Sequence, residues 1–135
     1  MAGLEAYIVQ ESLYSVPTTV GKIQTFLNGK EIQIFAVIDH SGEAKKAHLV
    51  LEDEQLLVFG DPKVGTYLMQ ENPAIGLDLP LKILVWKDAK GLTQVAYLNP
   101  LVFKERYHIE KNSSILDKMA QSLDHLVQTV TQPPK

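Results

Sequence analysis

Positions 60–66 directly follow an apolar segment and contain residues able to bind an anion. The run from Gly60 to Thr66 has the glycine spacing of a phosphate-binding loop, but Thr66 stands where that loop requires a lysine. A nucleotide site of this type is therefore excluded. A strand-to-helix turn still presents backbone N–H groups to an anion, although the Asp61 carboxylate is expected to occupy them as a helix cap. We interpret the segment first as a cap, and we keep Gly60, Asp61, Gly65 and Thr66 as candidate ligand-binding residues.

A second group of charges lies at the start of a predicted strand. Lys82 alternates with Leu81 and Ile83, so its side chain points to the opposite face of the sheet. If that face is covered, a carboxylate must neutralise the lysine, and Asp78 or Asp61 is suitably placed in the sequence. A salt bridge that fixes a loop is favoured over a polar cluster at the mouth of a pocket. Asp78 and Lys82 remain candidates for ligand binding.

Histidines offer general-base or metal chemistry. Asp39 and His40 close an apolar segment, but neighbouring residues of a strand point to opposite faces and are poorly placed to pair. His48 and His108 join His40 only if the fold brings them together, and no paired spacing predicts a zinc site. We therefore expect no metal, and the sequence identifies no cofactor. His40 and Arg106 complete the candidate ligand-binding residues.

Apolar spacing predicts the elements that position these residues. Segments 31–38 and 55–59 are apolar on both faces, which predicts buried strands and, for 31–38, a central place in the sheet. Segments 81–87 and 92–98 form a hairpin, with Gly91 where positive φ is needed. The other elements are a strand within 4–13, a helix from Ser15-Val16-Pro17 to a left-handed cap at Gly29, a helical turn within 39–47, a helix from Pro62 to about Gln70 that Asn72-Pro73 stops, a short helix within 101–107 and an amphipathic helix from Ile115 to Val130.

This order predicts an α+β fold. Strand, helix, four strands and helix, with a short helix between the middle strands, build a two-layer sandwich with helices on one face of one sheet. The chain of 135 residues is the size of one domain. We assign residues 1–130 to that domain and 131–135 to a flexible tail.

Composition limits the function classes. The net charge of −3, from 13 basic and 16 acidic side chains, gives no electrostatic reason to expect a nucleic-acid partner. The chain has no cysteine, which excludes disulfides and thiolate chemistry. No signal peptide is visible, and no apolar stretch reaches the ~20 residues of a membrane span. We therefore expect a cytoplasmic protein without a membrane partner.

The middle of the chain is similar to a known family. Its signature follows in order at Asp39-His40, at Val58 to Met69, at Asn72-Pro73, at Gly76 to Lys82, and at Trp86, Asp88, Gly91, Tyr97 and Pro100. The sequence resembles the domain-of-unknown-function family numbered 302 (DUF 302), of the TT1751-like superfamily.

The resemblance implies a TATA-binding-protein-like α+β fold and homodimers, and it implies no catalytic residues. Two positions depart from the family pattern. Asp61 stands where the family usually has asparagine. The order Arg106-Tyr107-His108 separates a pair, arginine and histidine, that is adjacent in the family.

Three functional hypotheses follow. The leading one is a homodimeric domain that binds a small ligand, or a protein partner, between the sheet and the helix that begins at Pro62. The second is an enzyme that uses Asp39 or His40 as a base and Lys82 as an electrostatic partner, which requires these side chains to converge. The lack of a complete catalytic set argues against it. The third is a purely structural dimerisation module with a closed groove.

Overall fold

The computed structural model of the protein describes residues 6–134. The strands are β1 (Tyr7–Ser12), β2 (Gln33–Asp39), β3 (Glu54–Gly60), β4 (Leu81–Lys87) and β5 (Thr93–Leu98). The helices are α1 (Val16–Gly29), α2 (His40–Lys46), α3 (Pro62–Glu71), α4 (Phe103–Arg106) and α5 (Ser113–Thr131), with 3₁₀ turns at Pro73–Leu77 and Pro100–Val102. The strands form one antiparallel sheet in the order β1-β5-β4-β3-β2.

This architecture confirms the predicted α+β class. Helices α1 and α5 pack on one face of the sheet, and every second strand residue turns its side chain towards them, as the two-residue period of a strand requires. The hairpin β4–β5 has the predicted position, and Gly91 takes the expected positive φ of 82°. The main core contains Val16, Val20, Ile23 and Leu27 of α1, Leu57, Phe59, Ile83, Val85, Val95 and Tyr97 of the sheet, and Leu123, Leu126, Val127 and Val130 of α5.

The end of α1 differs from the prediction of a left-handed cap at Gly29. The left-handed residue is Glu31, with φ of 58°. The N–H of Glu31 bonds to the carbonyl of Asn28 at 3.1 Å, and that of Ile32 bonds to the carbonyl of Leu27 at 3.0 Å. This is a Schellman motif, in which Ile32 follows the left-handed residue and packs back on the apolar end of the helix. The hydrophobic contact of Ile32 therefore sets the end of α1, two residues after the glycine.

The predicted central position of segment 31–38 is wrong. Strand β2 lies at the edge of the sheet and pairs with β3 along one side, with a register shift between Ile34 and Ala36. The apolar residues that predicted burial on both faces remain half-exposed or exposed, including Phe35 and Ile38. On β2, Ala36 and Ile38 therefore add apolar surface to the outer face of the sheet, opposite α1 and α5.

The boundary of the tail also differs from the prediction. Thr131 was assigned to a flexible tail but is the last residue of α5 and is fully buried. Its hydroxyl donates to the carbonyl of Val127 at 2.6 Å, and its carbonyl accepts from the N–H of Leu13 at 3.0 Å. Residue 131 thus belongs to the folded domain, and flexibility beyond it stays a prediction.

A second apolar cluster joins α3 to the C-terminal part of the chain. Leu68 of α3, Ile75, Phe103 and Leu116 are at most 1% exposed. Beside this cluster, the Glu71 carboxylate accepts hydrogen bonds from three consecutive backbone N–H groups, at 2.7 Å from Glu110, 3.0 Å from Lys111 and 2.9 Å from Asn112.

These bonds hold the segment that leads into α5. The N-cap residue of α5, Asn112, makes no side-chain cap bond to the helix and instead donates its amide to Glu71 at 3.0 Å. Hydrogen bonds from the three backbone N–H groups, that of Glu110 foremost, lower the pKa of Glu71 below its ordinary value. The end of α3 is therefore fixed to the start of α5.

We expect Glu71→Gln to lower the urea midpoint of unfolding at neutral pH, because an amide cannot offer four acceptor sites to these donors. A depressed folded-state pKa contributes stability above the ordinary glutamate value of about 4.5 and loses it as the pH falls through the folded value. The difference between wild type and variant should therefore shrink in acid. Glu110→Gln, which alters a nearby exposed carboxylate, is the control. An equal effect of both variants at pH 7 would refute the role of Glu71.

Candidate functional site

A groove opens at one corner of the helix-covered face of the sheet. It lies between α3 on one side and α1 with α5 on the other, and its volume is about 900 Å³. Phe59 and Leu81 form its floor at the end of β3 and the start of β4. The apolar residues around it are Phe26, Leu27, Ile32, Phe35, Phe59, Pro62, Val64, Tyr67, Met69, Leu79, Pro80, Leu81, Ile115, Met119, Leu123 and Leu126.

The turn from β3 into α3 places the helix over this corner of the sheet. The Asp61 carboxylate accepts from the backbone N–H of Lys63 at 3.0 Å, and Pro62 occupies the first helical position, as predicted. At Gly60, a Cβ would meet Pro80 at 3.5 Å and the Phe35 ring at 3.8 Å. The strand therefore turns into the helix at a place where three chain segments approach one another closely.

Four of the predicted ligand-binding residues come together in the groove. Gly60, Asp61, Gly65 and Thr66 all line it. The Asp61 carboxylate is engaged as a cap, and the Thr66 hydroxyl donates to the carbonyl of Pro62 at 2.5 Å. The backbone of these four residues shapes the groove. The Asp61 carboxylate and the Thr66 hydroxyl are both engaged by α3 itself.

Asp78 and Arg106 form a separate cluster with Tyr107. Arg106 donates to the Asp78 carboxylate at 3.1 Å, and the Tyr107 hydroxyl donates to the same oxygen. Burial alone would raise the pKa of Asp78, but the hydrogen bonds from Tyr107 and Arg106, with the charges of Arg106 and Lys82, lower it below its ordinary value. The predicted carboxylate neighbour of Lys82 is therefore Asp78, although the hydrogen bonds of Asp78 go to Arg106 and Tyr107.

Lys82 lies on the outer face of the sheet, opposite the groove. Asp78 and Lys82 border a smaller cavity of about 250 Å³ there. The Lys82 ammonium is 3.5 Å from the carbonyl of Pro80. The candidates Asp78 and Lys82 thus lie on a different face of the sheet from the candidates at positions 60–66.

Asp39 and His40 lie at the opposite end of the sheet. Asp39 pairs with Gln55, whereas Lys82 pairs with Val58, three residues further along β3. That separation is about 10 Å along the strand alone. The structure therefore does not bring together the side chains that the enzyme hypothesis requires.

The Asp39 carboxylate is occupied in the same way as that of Asp61. It accepts from the Ser41 hydroxyl at 2.6 Å and from the N–H of Gly42 at 2.9 Å, which caps α2. The Ser41 bond, and then the Gly42 bond, lower the pKa of Asp39 below its ordinary value. Within residues 6–134, no three His, Asp or Glu side chains are grouped to hold a metal ion.

Sequence reasoning missed the residues that α1 and α5 contribute to the groove. Lys30, Lys118, Ser122 and His125 line it, and the His125 ring lies edge-on to Phe26 with centroids 5.8 Å apart. On α5 these polar residues recur at helical spacing beside the core stripe. Their spacing is that of the solvated face of an ordinary amphipathic helix and gives no sign of a groove.

A family model described as "Domain of unknown function DUF302" matches residues 8–130. The chain belongs to the DUF302 family. The predicted family resemblance is thereby confirmed. The crystal structure of an uncharacterized conserved DUF302 protein from Bacillus stearothermophilus has the same fold, with a TM-score of 0.84 and 13% identity over 96% of this chain and all of that one.

Curated relatives of this DUF302 chain carry a functional name. Two proteins named "Fluoride-specific ion channel FluC 1", from Brucella suis and Brucella abortus, are 32% identical to it over 111 residues. The match covers 82% of this chain but 44% and 41% of theirs, so the chain spans less than half the length of these relatives. None of the helices within residues 6–134 has the length and apolar character needed to cross a membrane.

Substitutions at Asp61 distinguish the role of its side chain as a helix cap from the role of its negative charge. We expect Asp61→Asn to leave the free energy of unfolding within a few tenths of a kcal/mol, because asparagine caps a helix as well as aspartate does. Asp61→Ala should cost about 1 kcal/mol, because the N–H of Lys63 loses its acceptor. Urea unfolding at neutral pH measures both. Equal destabilisation by the two variants would mean that the charge, and not the cap, matters here.

Proposed function

We propose that this DUF302 domain binds a small, mainly apolar ligand in the groove beneath α3. The observation that carries the proposal is an open cavity of about 900 Å³ whose lining is predominantly apolar. Sites for small molecules have volumes of roughly 300–1,000 Å³ and an apolar lining with a few polar groups. Tyr67 is 57% exposed and Phe35 is 45% exposed at its mouth. Covering such side chains would release water from apolar surface.

The attachment of α3 supports a cavity that stays open. Leu68 is the residue of α3 that is fully buried, and it packs into the cluster on the side away from the groove. Glu71 fixes the end of α3 to the start of α5, and the Asp61 turn fixes its beginning to β3. The helix is therefore held at both ends while its groove side stays unfilled. A purely structural module would have no use for this space.

We also propose that the domain forms a homodimer through the outer face of its sheet. Strands of a sheet with one solvated face normally alternate apolar and polar residues. Here the outward positions remain largely apolar on all five strands. The apolar residues at these positions are Tyr7 and Val9, Ala36 and Ile38, Leu56 and Val58, Leu84 and Trp86, and Ala96 and Leu98, and the polar ones are Glu11, Glu54, Lys82 and Gln94.

Exposed apolar side chains on this scale favour a partner. Tyr7 is 68% exposed and Val9 54%, and they lie on the edge strand β1. The loop before β3 exposes Leu49, Val50 and Leu51 as well. Large exposed apolar patches are uncommon on monomers and mark interaction sites. A second copy is the occupant we propose, because most soluble oligomers pair identical surfaces about a twofold axis.

The channel named in the Brucella relatives gives context for a partner. Since the matched region is less than half of those proteins and the described residues hold no membrane-spanning helix, we infer that the pore lies in the part that this chain does not match. The matched region would then be a ligand-binding or pairing unit attached to a channel. We do not assign channel activity to the present chain.

Gly65 provides the test of groove binding. A Cβ there would lie 3.7 Å from Leu79 and 3.9 Å from Met69, both groove residues, so alanine fits without strain. We expect Gly65→Ala to retain binding of the neutral apolar dye Nile red, with stability raised by up to about 1 kcal/mol from helix propensity. Gly65→Leu should weaken dye binding about tenfold by filling the groove. Fluorescence titration and thermal unfolding measure the two effects.

Comparing the two Gly65 variants distinguishes dye bound in the groove from dye bound to the outer face of the sheet, which is also apolar. Dye bound to the outer face would be indifferent to position 65. Equal affinities of Gly65→Leu and wild type for Nile red, with both proteins folded, would therefore contradict the proposed ligand site.

Neighbouring residues of β2 provide the test of the dimer. Ile38 and Val37 are both 38% exposed, but Ile38 pairs with Leu56 on the outer face and Val37 with Leu57 on the helix-covered face. We expect wild type to sediment as a dimer. Ile38→Lys, and more strongly Leu84→Lys at the centre of the outer face, should shift it to monomer because a buried unpaired charge is costly. Val37→Lys should remain dimeric. A monomeric wild type, or dissociation by Val37→Lys alone, would contradict the proposal.

A further inference from the structure

The mouth of the groove is positively charged in a chain that is acidic overall. Three lysines line the groove, Lys30 at the end of α1, Lys63 in the first turn of α3 and Lys118 on α5, and His125 lies two helical turns after Lys118. Among the residues 6–134 that line the groove, Asp61 is the one carboxylate. The chain as a whole has a net charge of −3. The local excess of positive charge is therefore opposite in sign to the average of the molecule.

Two carboxylates near these lysines are engaged by other groups, and Asp61 keeps its negative charge in the groove beside the three lysines. Asp61 accepts from the backbone N–H of Lys63 as the cap of α3. Asp117, which adjoins Lys118 in sequence, pairs with Lys104 at 2.6 Å. In the part of the chain that the structure describes, the ion pairs include none of the three groove lysines. The Lys30 ammonium instead lies over the Phe26 ring, 5.8 Å from its centroid, and none of the three lysines is neutralised by a carboxylate in an ion pair there.

The interior behind these lysines is apolar. Phe59 and Leu81 form the floor, and Met69 and Met119 face it from the two sides. Methionine side chains adapt to ligands of irregular shape. A ligand that suits both regions has a flexible apolar body and one anionic end.

Backbone chemistry argues against a polyphosphate as that anion. Phosphate-binding turns present free N–H groups at a helix start. Here the N–H of Lys63 bonds to the Asp61 side chain, and the N–H groups of Val64 and Gly65 bond to the Asp61 carbonyl at 2.9 and 3.0 Å. The positive charge comes from long, hydrated ammonium groups at the rim, which suit a single carboxylate that remains near water.

We propose that the groove binds a single-chain amphiphile with a terminal carboxylate, of the fatty-acid type. This inference deepens the proposed ligand site and rests on it. The alkyl chain lies on the Phe59–Leu81 floor under α3. The carboxylate lies at the rim among Lys30, Lys63 and Lys118.

The test compares three probes of equal chain length on the wild-type protein by isothermal titration calorimetry, below their micelle concentrations. They are dodecanoate, dodecanol and dodecyltrimethylammonium. We expect dodecanoate to bind about tenfold more tightly than dodecanol, because the carboxylate gains charge-assisted contacts, and the cationic probe to bind most weakly. Gly65→Leu should weaken the binding of dodecanoate and dodecanol alike.

A charge-matched pair of variants locates the carboxylate. The triple variant Lys30→Met, Lys63→Met and Lys118→Met should lose the preference for dodecanoate over dodecanol. The control triple variant Lys45→Met, Lys90→Met and Lys111→Met changes the net charge equally at exposed sites that do not line the groove and should keep that preference. Circular dichroism verifies that both variants fold, and the probe comparison on wild type stands without them.

The outcomes distinguish this inference from the proposed function. If dodecanoate and dodecanol bind wild type equally and Gly65→Leu weakens both, the groove is a ligand site and the carboxylate preference is overturned. If no probe binds, or if Gly65→Leu changes nothing, both proposals fail. Loss of the preference in the control triple variant would overturn the assignment to the rim lysines. Adsorption to anionic vesicles without competition by dodecanoate would assign the positive charge to a membrane surface and overturn the inference.

Discussion

The Glu71 carboxylate joins two parts of the chain that are about 40 residues apart in sequence, because it accepts the N–H groups of Glu110, Lys111 and Asn112. Those donors precede α5, whose own cap residue makes no side-chain bond to the helix. A carboxylate with several N–H donors is held in its charged form and in one geometry. The end of α3 is therefore held against the start of α5 at this point.

Closing the groove would be favourable by itself, since it removes apolar surface from water. The structure opposes this in two ways. The apolar residue of α3 that packs most completely, Leu68, points into the second cluster and not towards Phe59 and Leu81. The Asp61 cap starts the helix directly after β3 and leaves no slack in the connection. The cavity is thus a consequence of how both ends of α3 are attached, and in the proposed function a ligand supplies the packing that α3 does not.

Local signals in the sequence were sufficient for most of the fold. Pro62 and Asp61 predicted the start of α3, and Gly91 predicted the hairpin, because each of these depends on a few adjacent residues. The same signals located one side of the groove, from Gly60 to Thr66. Contacts between distant segments were not accessible in this way. The bond of Arg106 to Asp78 and the turn of Lys118 towards the groove depend on how helices pack, and a polar residue on an amphipathic helix gives no sign of what it faces.

The misplacement of β2 shows where the two-residue period of a strand is ambiguous. Apolar residues on both faces usually indicate a strand with neighbours on both sides and layers above and below. In this chain the apolar residues on the two faces of the sheet are explained by different surroundings. On β3, Phe59 faces the groove and the helices, whereas Val58 faces outward beside Lys82 of β4. Because successive side chains point to opposite faces, changes at one set of positions leave the other set in place. The proposed ligand binding on the helix side and the proposed pairing on the outer side can therefore coexist on the same strands. Apolar residues on both faces then give an edge strand such as β2 the sequence pattern of a buried strand.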